Sequence, residues 1–136
     1  MKSSITIIAL ILGGLSGIQA ARADIQGRAE TPPPYCDSPD KPSASLYWTL
    51  DNIATLRREG KTCHTPPGCT RVACQWKSAI HVCNDKSTDV APPCSQVADY
   101  AEHILNFCDP NFDRTHVQGL ETDDENWYVM VGGSDC

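Results

Sequence analysis

The sequence has few basic residues and no apolar segment long enough to cross a bilayer. Its 136 residues include 11 Lys and Arg against 17 Asp and Glu, a formal net charge of −6. Because nucleic-acid affinity depends on Lys and Arg neutralising phosphates, this balance disfavours nucleic acids and anionic membranes as partners. A spanning helix needs about 20 apolar residues, more than the run at 5–15 supplies. We therefore expect neither nucleic-acid binding nor stable membrane insertion.

The motifs of common enzymes and metal sites are also missing. The chain has no G-x-S-x-G, no H-E-x-x-H and no phosphate-binding glycine loop. It has no C-x-x-C or H-x-x-x-H pair, which argues against zinc as the role of its cysteines. The acidic segment 121–125 lacks the ligand spacing of an EF-hand loop, so a solvated charge run is favoured over a calcium site. We predict no catalytic residues, no cofactor and no metal.

The features that are present begin with an export signal. Lys2 precedes the apolar run at 5–15, and Ala-Arg-Ala at 21–23 fits a small-x-small cleavage site. Cleavage after Ala20 fits less well, and an uncleaved anchor is the remaining alternative. Removing residues 1–23 takes away two basic residues and no acid, which leaves 9 basic and 17 acidic residues and a net charge of −8. The remainder is long enough for one domain.

Apolar periodicity predicts two helices and three strands. The predicted elements are a helix over 45–60, strands over 70–76 and 78–84, a helix over 94–107 and a strand over 127–131. The apolar residues of the first helix are Leu46, Leu50, Ile53 and Leu56. Lys77 and Ser78 separate the first two strands by a hairpin turn or a bulge, and 109–126 is a polar loop.

This order of elements predicts a small disulfide-rich α+β domain, with an antiparallel sheet and two helices packed on one face. The predicted organisation is a signal peptide over 1–23, an extended Pro-rich arm over 24–44 and the disulfide-stabilised domain over 45–136. We expect the arm to be largely unpacked until its cysteine pins it, and we expect the protein to be a monomer.

Eight cysteines lie in the predicted mature chain: Cys36, Cys63, Cys69, Cys74, Cys83, Cys94, Cys108 and Cys136. In an exported chain an even number indicates disulfides, here four. Cys94 and Cys108 bracket the second helix, so their backbones lie roughly 20 Å apart, beyond the limit of about 7 Å for a disulfide. Each end of that helix must therefore be tied to something else. We expect the sheet and Cys136 to supply partners, and the pairing is otherwise open.

Four histidines are the candidates for acid–base chemistry, and a structural role is favoured for each. His81 lies on a predicted strand, with Arg71 on the strand before it, and this pair would suit a secreted ribonuclease. His103 belongs to the polar face of the second helix and is expected to be solvated, whereas His64 and His116 lie in turns.

The tryptophans are the other candidates for binding. Trp48, Trp76 and Trp127 could line a sugar or lipid site, but in so small a core we expect them to be packing residues.

Half of the precursor carries a recognisable layout. ACQWKSAIHVCND is followed by a proline-ended loop, by CSQVADYAEHILNFC and by WYVMVGGSDC at the end. This resembles small secreted cysteine-rich proteins of filamentous ascomycete fungi, and the layout over about 70–136 is similar to the killer-toxin-like fold. The resemblance implies an effector or virulence function directed at a host or at competing microbes, and it supplies no catalytic residues.

The resulting hypothesis is a secreted, non-enzymatic effector that binds a host or competitor protein or a cell-surface component. It acts outside cells, with entry into host tissue or cells as an option. The alternatives are a killer-toxin-like antimicrobial protein and a small secreted hydrolase such as a ribonuclease. The acidic charge disfavours a membrane-lytic toxin.

Overall fold

The computed structural model describes residues 32–37, 41–112 and 114–136. Its elements are β1 (Ala44–Ser45), α1 (Leu46–Glu59), β2 (Gly68–Gln75), β3 (Ser78–Asn84), α2 (Cys94–Cys108), β4 (His116–Val117), β5 (Gly119–Thr122) and β6 (Trp127–Gly133). The predicted signal peptide at 1–23 lies outside the described residues, as do 24–31 and 38–40 of the predicted arm. Within the described residues, neither helix has the length and apolar character needed to cross a bilayer.

The main sheet has four antiparallel strands in the order β2-β3-β6-β5. A second, two-stranded sheet pairs β1 with β4. Together with the two helices and four disulfides, these sheets confirm the predicted small α+β, disulfide-rich fold.

The apolar core lies between the two helices and one face of the main sheet. The core residues from the central strands and α2 include Ile80, Val82, Val129, Val131, Val97, Ala101, Ile104 and Leu105. α2 presents an apolar stripe at helical spacing, so its burial follows directly from its sequence. Arg57 near the end of α1 bridges the helices, since its Nη2 lies 2.8 Å from Asp99 and 2.5 Å from Glu102.

α1 buries Ile53 and Leu56 of its predicted apolar stripe and packs Leu46 against the core, but not Leu50. Leu50 is 43% exposed, whereas Thr49 and Asn52 are buried. The reason is hydrogen bonding to the beginning of β3: Asn52 Nδ2 donates to the carbonyl oxygen of Ser78 at 2.8 Å. A buried carbonyl needs a donor, and this one is supplied by the helix. Ser45 is the N-cap residue, but its backbone N–H donates to Ser78 Oγ and its side chain makes no capping bond.

The expectation of a polar loop over 109–126 is wrong, because the segment contains β4 and β5. β5 forms an edge strand through backbone pairing with β6, which requires no alternating apolar pattern. It also lies close to α2: a Cβ on Gly119 would be 2.7 Å from Ile104 Cγ2 and 2.9 Å from the carbonyl oxygen of Tyr35. Only glycine fits there. Tyr35 of the predicted arm forms an antiparallel bridge with β5, so this part of the arm is packed.

A two-residue turn joins β2 to β3. Gln75 pairs with Ser78, which leaves Trp76 and Lys77 as the loop. The predicted break at Lys77 and Ser78 is thus displaced by one residue, and Trp76 belongs to the turn and not to the strand. A register shift also occurs within β2, so the hairpin contains both a turn and an irregularity.

All eight cysteines are paired, which confirms the expected disulfides. The pairs are Cys36–Cys108, Cys63–Cys94, Cys69–Cys83 and Cys74–Cys136. Cys94 and Cys108 are not joined to each other, as predicted. The expectation that the sheet and Cys136 tie the ends of α2 is wrong, because the arm and the segment after α1 do so. The cysteines of β2 and β3 alternate with core-facing positions and therefore point away from the helices.

Candidate functional site

His81 and Arg71 are brought together as the sequence suggested, but in a buried setting. They are directly opposed in the pairing of β2 with β3. The His81 side chain is only 6% exposed, and its Nδ1 has no hydrogen-bond partner among the described residues. Burial lowers the pKa of this imidazole, and the positive charges of Lys41 and Arg71 act in the same direction. The Arg71 guanidinium donates to the backbone carbonyl of Asp135. Because the His81 side chain is buried, little of its imidazole ring is open to a substrate.

His103 is hydrogen-bonded and not merely solvated. Its Nδ1 lies 2.7 Å from Oε1 of Glu121 on β5, a side chain that the sequence assigned to a solvated acidic run. Glu121 is buried, and burial raises the pKa of its carboxyl against the opposing hydrogen bond from His103. Nearby, the Tyr100 hydroxyl donates to Asp123 at 2.6 Å. These contacts hold β5 against α2.

The acidic segment has structural partners and lines a shallow cleft. Asp123 accepts a hydrogen bond from the backbone N–H of Glu125 at 2.8 Å. Asp124 and the same two residues line a cleft of about 460 Å³ near the beginning of α2. In the part of the chain that the structure describes, no group of three or more His, Cys, Asp or Glu residues could hold a metal ion. His64 is on the surface, paired with Asp89 at 2.8 Å.

The three tryptophans differ in their exposure to solvent. Trp127 is 3% exposed and packs edge-to-face on Tyr100, with ring centroids 5.4 Å apart, so the packing role predicted for it is confirmed. Trp76 is 74% exposed, so the packing role predicted for it is wrong. Its indole stacks on the half-buried ring of Trp48 at 5.6 Å and 26° between planes. Tyr47, also exposed, meets Trp48 edge-to-face at 4.8 Å. Tyr47, Trp48 and Trp76 are hereafter the aromatic surface.

Within the aromatic surface, Trp76 lies in a strained turn. Trp76 and Lys77 have φ values of 46° and 64°, the left-handed conformation that a two-residue type I′ hairpin requires at both positions. Such turns favour Asn-Gly, and a bulky residue in this conformation costs about 1 kcal/mol or more. Backbone strain of this kind concentrates where a side chain is needed for function.

A cleft of about 770 Å³ adjoins Trp76, and we call it the hairpin cleft. Its charged and ionisable lining residues are Lys41, Lys77, His116 and Asp135. Serine residues of the arm and of β1 and β3 also line it. The site therefore combines the exposed indole of Trp76 with several polar and charged side chains. Apolar surface with a few polar groups is the usual composition of a ligand-binding cleft.

Sequence reasoning missed this site because its parts come from four distant segments. The arm supplies Lys41, the hairpin supplies Trp76 and Lys77, β4 supplies His116 and the end of the chain supplies Asp135. One signal was available: Trp76 ends the first predicted strand and Lys77 follows it, at a place where hairpin-turn chemistry favours Asn-Gly. An aromatic residue at such a position indicates a side chain displayed for contact.

The fold and its four disulfides define a small disulfide-rich α+β protein, and this cross-linking fits a small secreted protein. Comparisons with protein-family models, with curated proteins and with solved structures returned no match. The site is therefore interpreted from its own geometry.

Proposed function

We propose that this protein is a secreted effector that acts without catalysis, by binding a host or competitor target through the aromatic surface and the hairpin cleft. The observation that carries the proposal is the exposed indole of Trp76 in a strained turn. A small domain has few apolar side chains with which to build a core. One that leaves a tryptophan outside this core, stacked on a second tryptophan, gives up stability at a place where contact with a partner would recover it.

The chemistry of the surface supports binding. Trp and Tyr are enriched among the residues that dominate the energy of interfaces, because they bury a large area with few rotatable bonds. The stack on Trp48 restrains the Trp76 indole before any partner arrives. Preorganisation lowers the entropy cost of binding.

RNA cleavage fits less well. Arg71 and His81 are opposed on adjacent strands, but the imidazole is buried and the guanidinium is bonded to a backbone carbonyl. A general base must come within hydrogen-bond reach of the proton that it abstracts. Access to His81 would require the strands or the covering segments to move.

Binding to intact cells and to cell walls from plants, fungi and bacteria tests the proposal. The oxidised protein, labelled at its amino terminus, should bind at least one preparation saturably. Trp76→Ala should reduce this binding by about tenfold or more, as truncation of a central interface aromatic does. Phe107→Ala removes an exposed aromatic residue elsewhere, on α2, and should leave binding unchanged. Equal binding by the wild type and Trp76→Ala, or no saturable binding at all, would contradict the proposal.

A further inference from the structure

We infer that the ligand of this site is an acidic oligosaccharide, with one sugar ring stacked on Trp76 and its carboxylates held by Lys41 and Lys77. The inference rests on the proposed function and specifies the chemical class of the target.

The hairpin cleft has a neighbour. The hairpin cleft shares Ser43 and His116 with a second cleft of about 230 Å³. Asp37, Arg114 and Gln118 line that second cleft. The two clefts therefore adjoin each other, and together we call them the groove. Two adjoining clefts offer a chain of linked rings more than one place to bind.

The indole supplies the contact that sugars use on aromatic residues. A pyranose ring has one face of polarised C–H groups, whereas the face of an aromatic ring carries negative charge density. The two faces attract each other and exclude water. Because Trp76 is largely exposed while its plane is restrained by Trp48, it offers such a face at small entropic cost.

The charge of the hairpin cleft is opposite to that of the protein. The chain has a net charge of −6, yet the hairpin cleft has two lysines and a single aspartate, Asp135. In the second cleft Arg114 is balanced by Asp37. Within the described part of the chain, neither Lys41 nor Lys77 is in an ion pair, a property that they share with Lys86. Ammonium groups left without carboxylates in a cleft are complementary to an anionic ligand.

A carboxylated sugar chain fits this combination better than a nucleic acid or a neutral glycan. Nucleic acids also stack on aromatic residues, but their affinity requires many cations along a dense row of phosphates, and the acidic protein would repel that row. A neutral glycan would leave the two lysines without a function. Carboxylates spaced one per sugar match a groove that has a few separated cations.

The test uses a galacturonic-acid oligomer and its fully methyl-esterified form, which has the same backbone without charge. Binding to the oxidised protein is followed by tryptophan fluorescence and calorimetry. We expect the acid form to bind about tenfold more tightly than the ester, and this preference to weaken with added salt. Lys41→Gln/Lys77→Gln should remove the preference, so that the acid binds no more tightly than the ester. Lys86→Gln, in the cleft near α2, is the matched control and should bind like the wild type.

Trp76→Ala should lose both forms. Equal binding of acid and ester by the wild type would overturn the assignment of charge, and tighter binding of single-stranded RNA would replace the sugar with a nucleic acid. If neither sugar binds while cell-surface binding still depends on Trp76, this inference fails and the proposed function stands.

Discussion

α2 and the tip of the β2–β3 hairpin use aromatic and apolar residues in opposite ways. Around α2, apolar side chains are buried, and Trp127 packs edge-to-face on Tyr100. At the hairpin tip, Trp76 stands in solvent, in a backbone conformation that disfavours it. The first region lowers the free energy of the folded state, whereas the second raises it.

The disulfides also divide between the helix side of the molecule and the hairpin. Cys36–Cys108 and Cys63–Cys94 belong to the helix side, where their sulfurs join the apolar core. On the opposite face, Cys69–Cys83 joins the two strands of the hairpin, and Cys74–Cys136 joins β2 to the end of the chain. Cross-links that hold the hairpin allow its tip to carry strain without opening the sheet.

The largest expected effect concerns these cross-links. Replacing Cys36 and Cys108 together by Ala should lower the free energy of unfolding by about 4 kcal/mol, because the lost bond closes a loop across 72 residues. The same change at Cys69 and Cys83, which are 14 residues apart, should cost about 3 kcal/mol. Urea unfolding of the two double variants measures both. A larger loss for the short loop would mean that the hairpin, and not the helix layer, depends more on its disulfide.

The next effect compares one substitution in two places. Leu105→Ala on α2 removes a fully buried side chain and should cost about 3 kcal/mol. Leu50→Ala on α1 truncates an exposed one and should change the free energy of unfolding by less than about 0.5 kcal/mol. Thermal and urea unfolding give both values. Similar losses at the two leucines would contradict the burial described for α1.

The two helices that contain these leucines also show which parts of the fold the sequence could predict. α2 was predicted almost to the residue, because its apolar stripe repeats at helical spacing and one face is buried. α1 was predicted in extent, and its Ile53 and Leu56 are buried. The exposure of Leu50 was not predicted, because the buried face includes Asn52, which bonds to a carbonyl 26 residues away. β5 was missed because backbone pairing and the buried Glu121 leave no apolar alternation.

Substitution at the hairpin tip should stabilise the fold, whereas the substitutions at the disulfides and at Leu105 should destabilise it. Trp76→Asn/Lys77→Gly introduces the residues that a type I′ turn favours and should raise the free energy of unfolding by about 1 kcal/mol, after the loss of the Trp48 stack. The same variant should lose ligand binding. Chemical unfolding and the cell-binding assay are measured on one preparation. A destabilised variant would show that the exposed indole serves the fold and not a partner.

The candidate site could be predicted only in part, because most of it is formed by contacts between distant segments. Trp-Lys between two strands is a local signal, whereas the groove depends on contacts among segments far apart in the chain. Gly132 and Gly133 lie against Lys41 and Pro42, where a Cβ on either would be under 3 Å from a side-chain carbon. Such close approaches position the arm beside the hairpin, and composition does not reveal them.

The smallest expected effect is a pH dependence that originates beneath the hairpin. Because burial, with Lys41 and Arg71, lowers the pKa of folded His81, the unfolded chain takes up this proton first as the pH falls. The stability linked to His81 is complete above the unfolded pKa of about 6.5 and is lost as the pH falls towards the folded value. The Glu121 carboxyl, whose pKa is raised, acts in the opposite sense: its contribution is present at low pH and is lost as the pH rises through its folded pKa.

His81→Gln separates the two groups, since Glu121 is unchanged in the variant. Between pH 7 and pH 5, the wild type should lose more stability than His81→Gln, as measured by urea unfolding at each pH. His64→Gln, which removes a histidine on the surface, is the matched control for the substitution itself. Parallel curves for the wild type and His81→Gln would mean that the imidazole is protonated in place, and hence that water and substrates reach it. That result would reopen hydrolysis at Arg71 and His81 and weaken the division between a structural face and a binding tip.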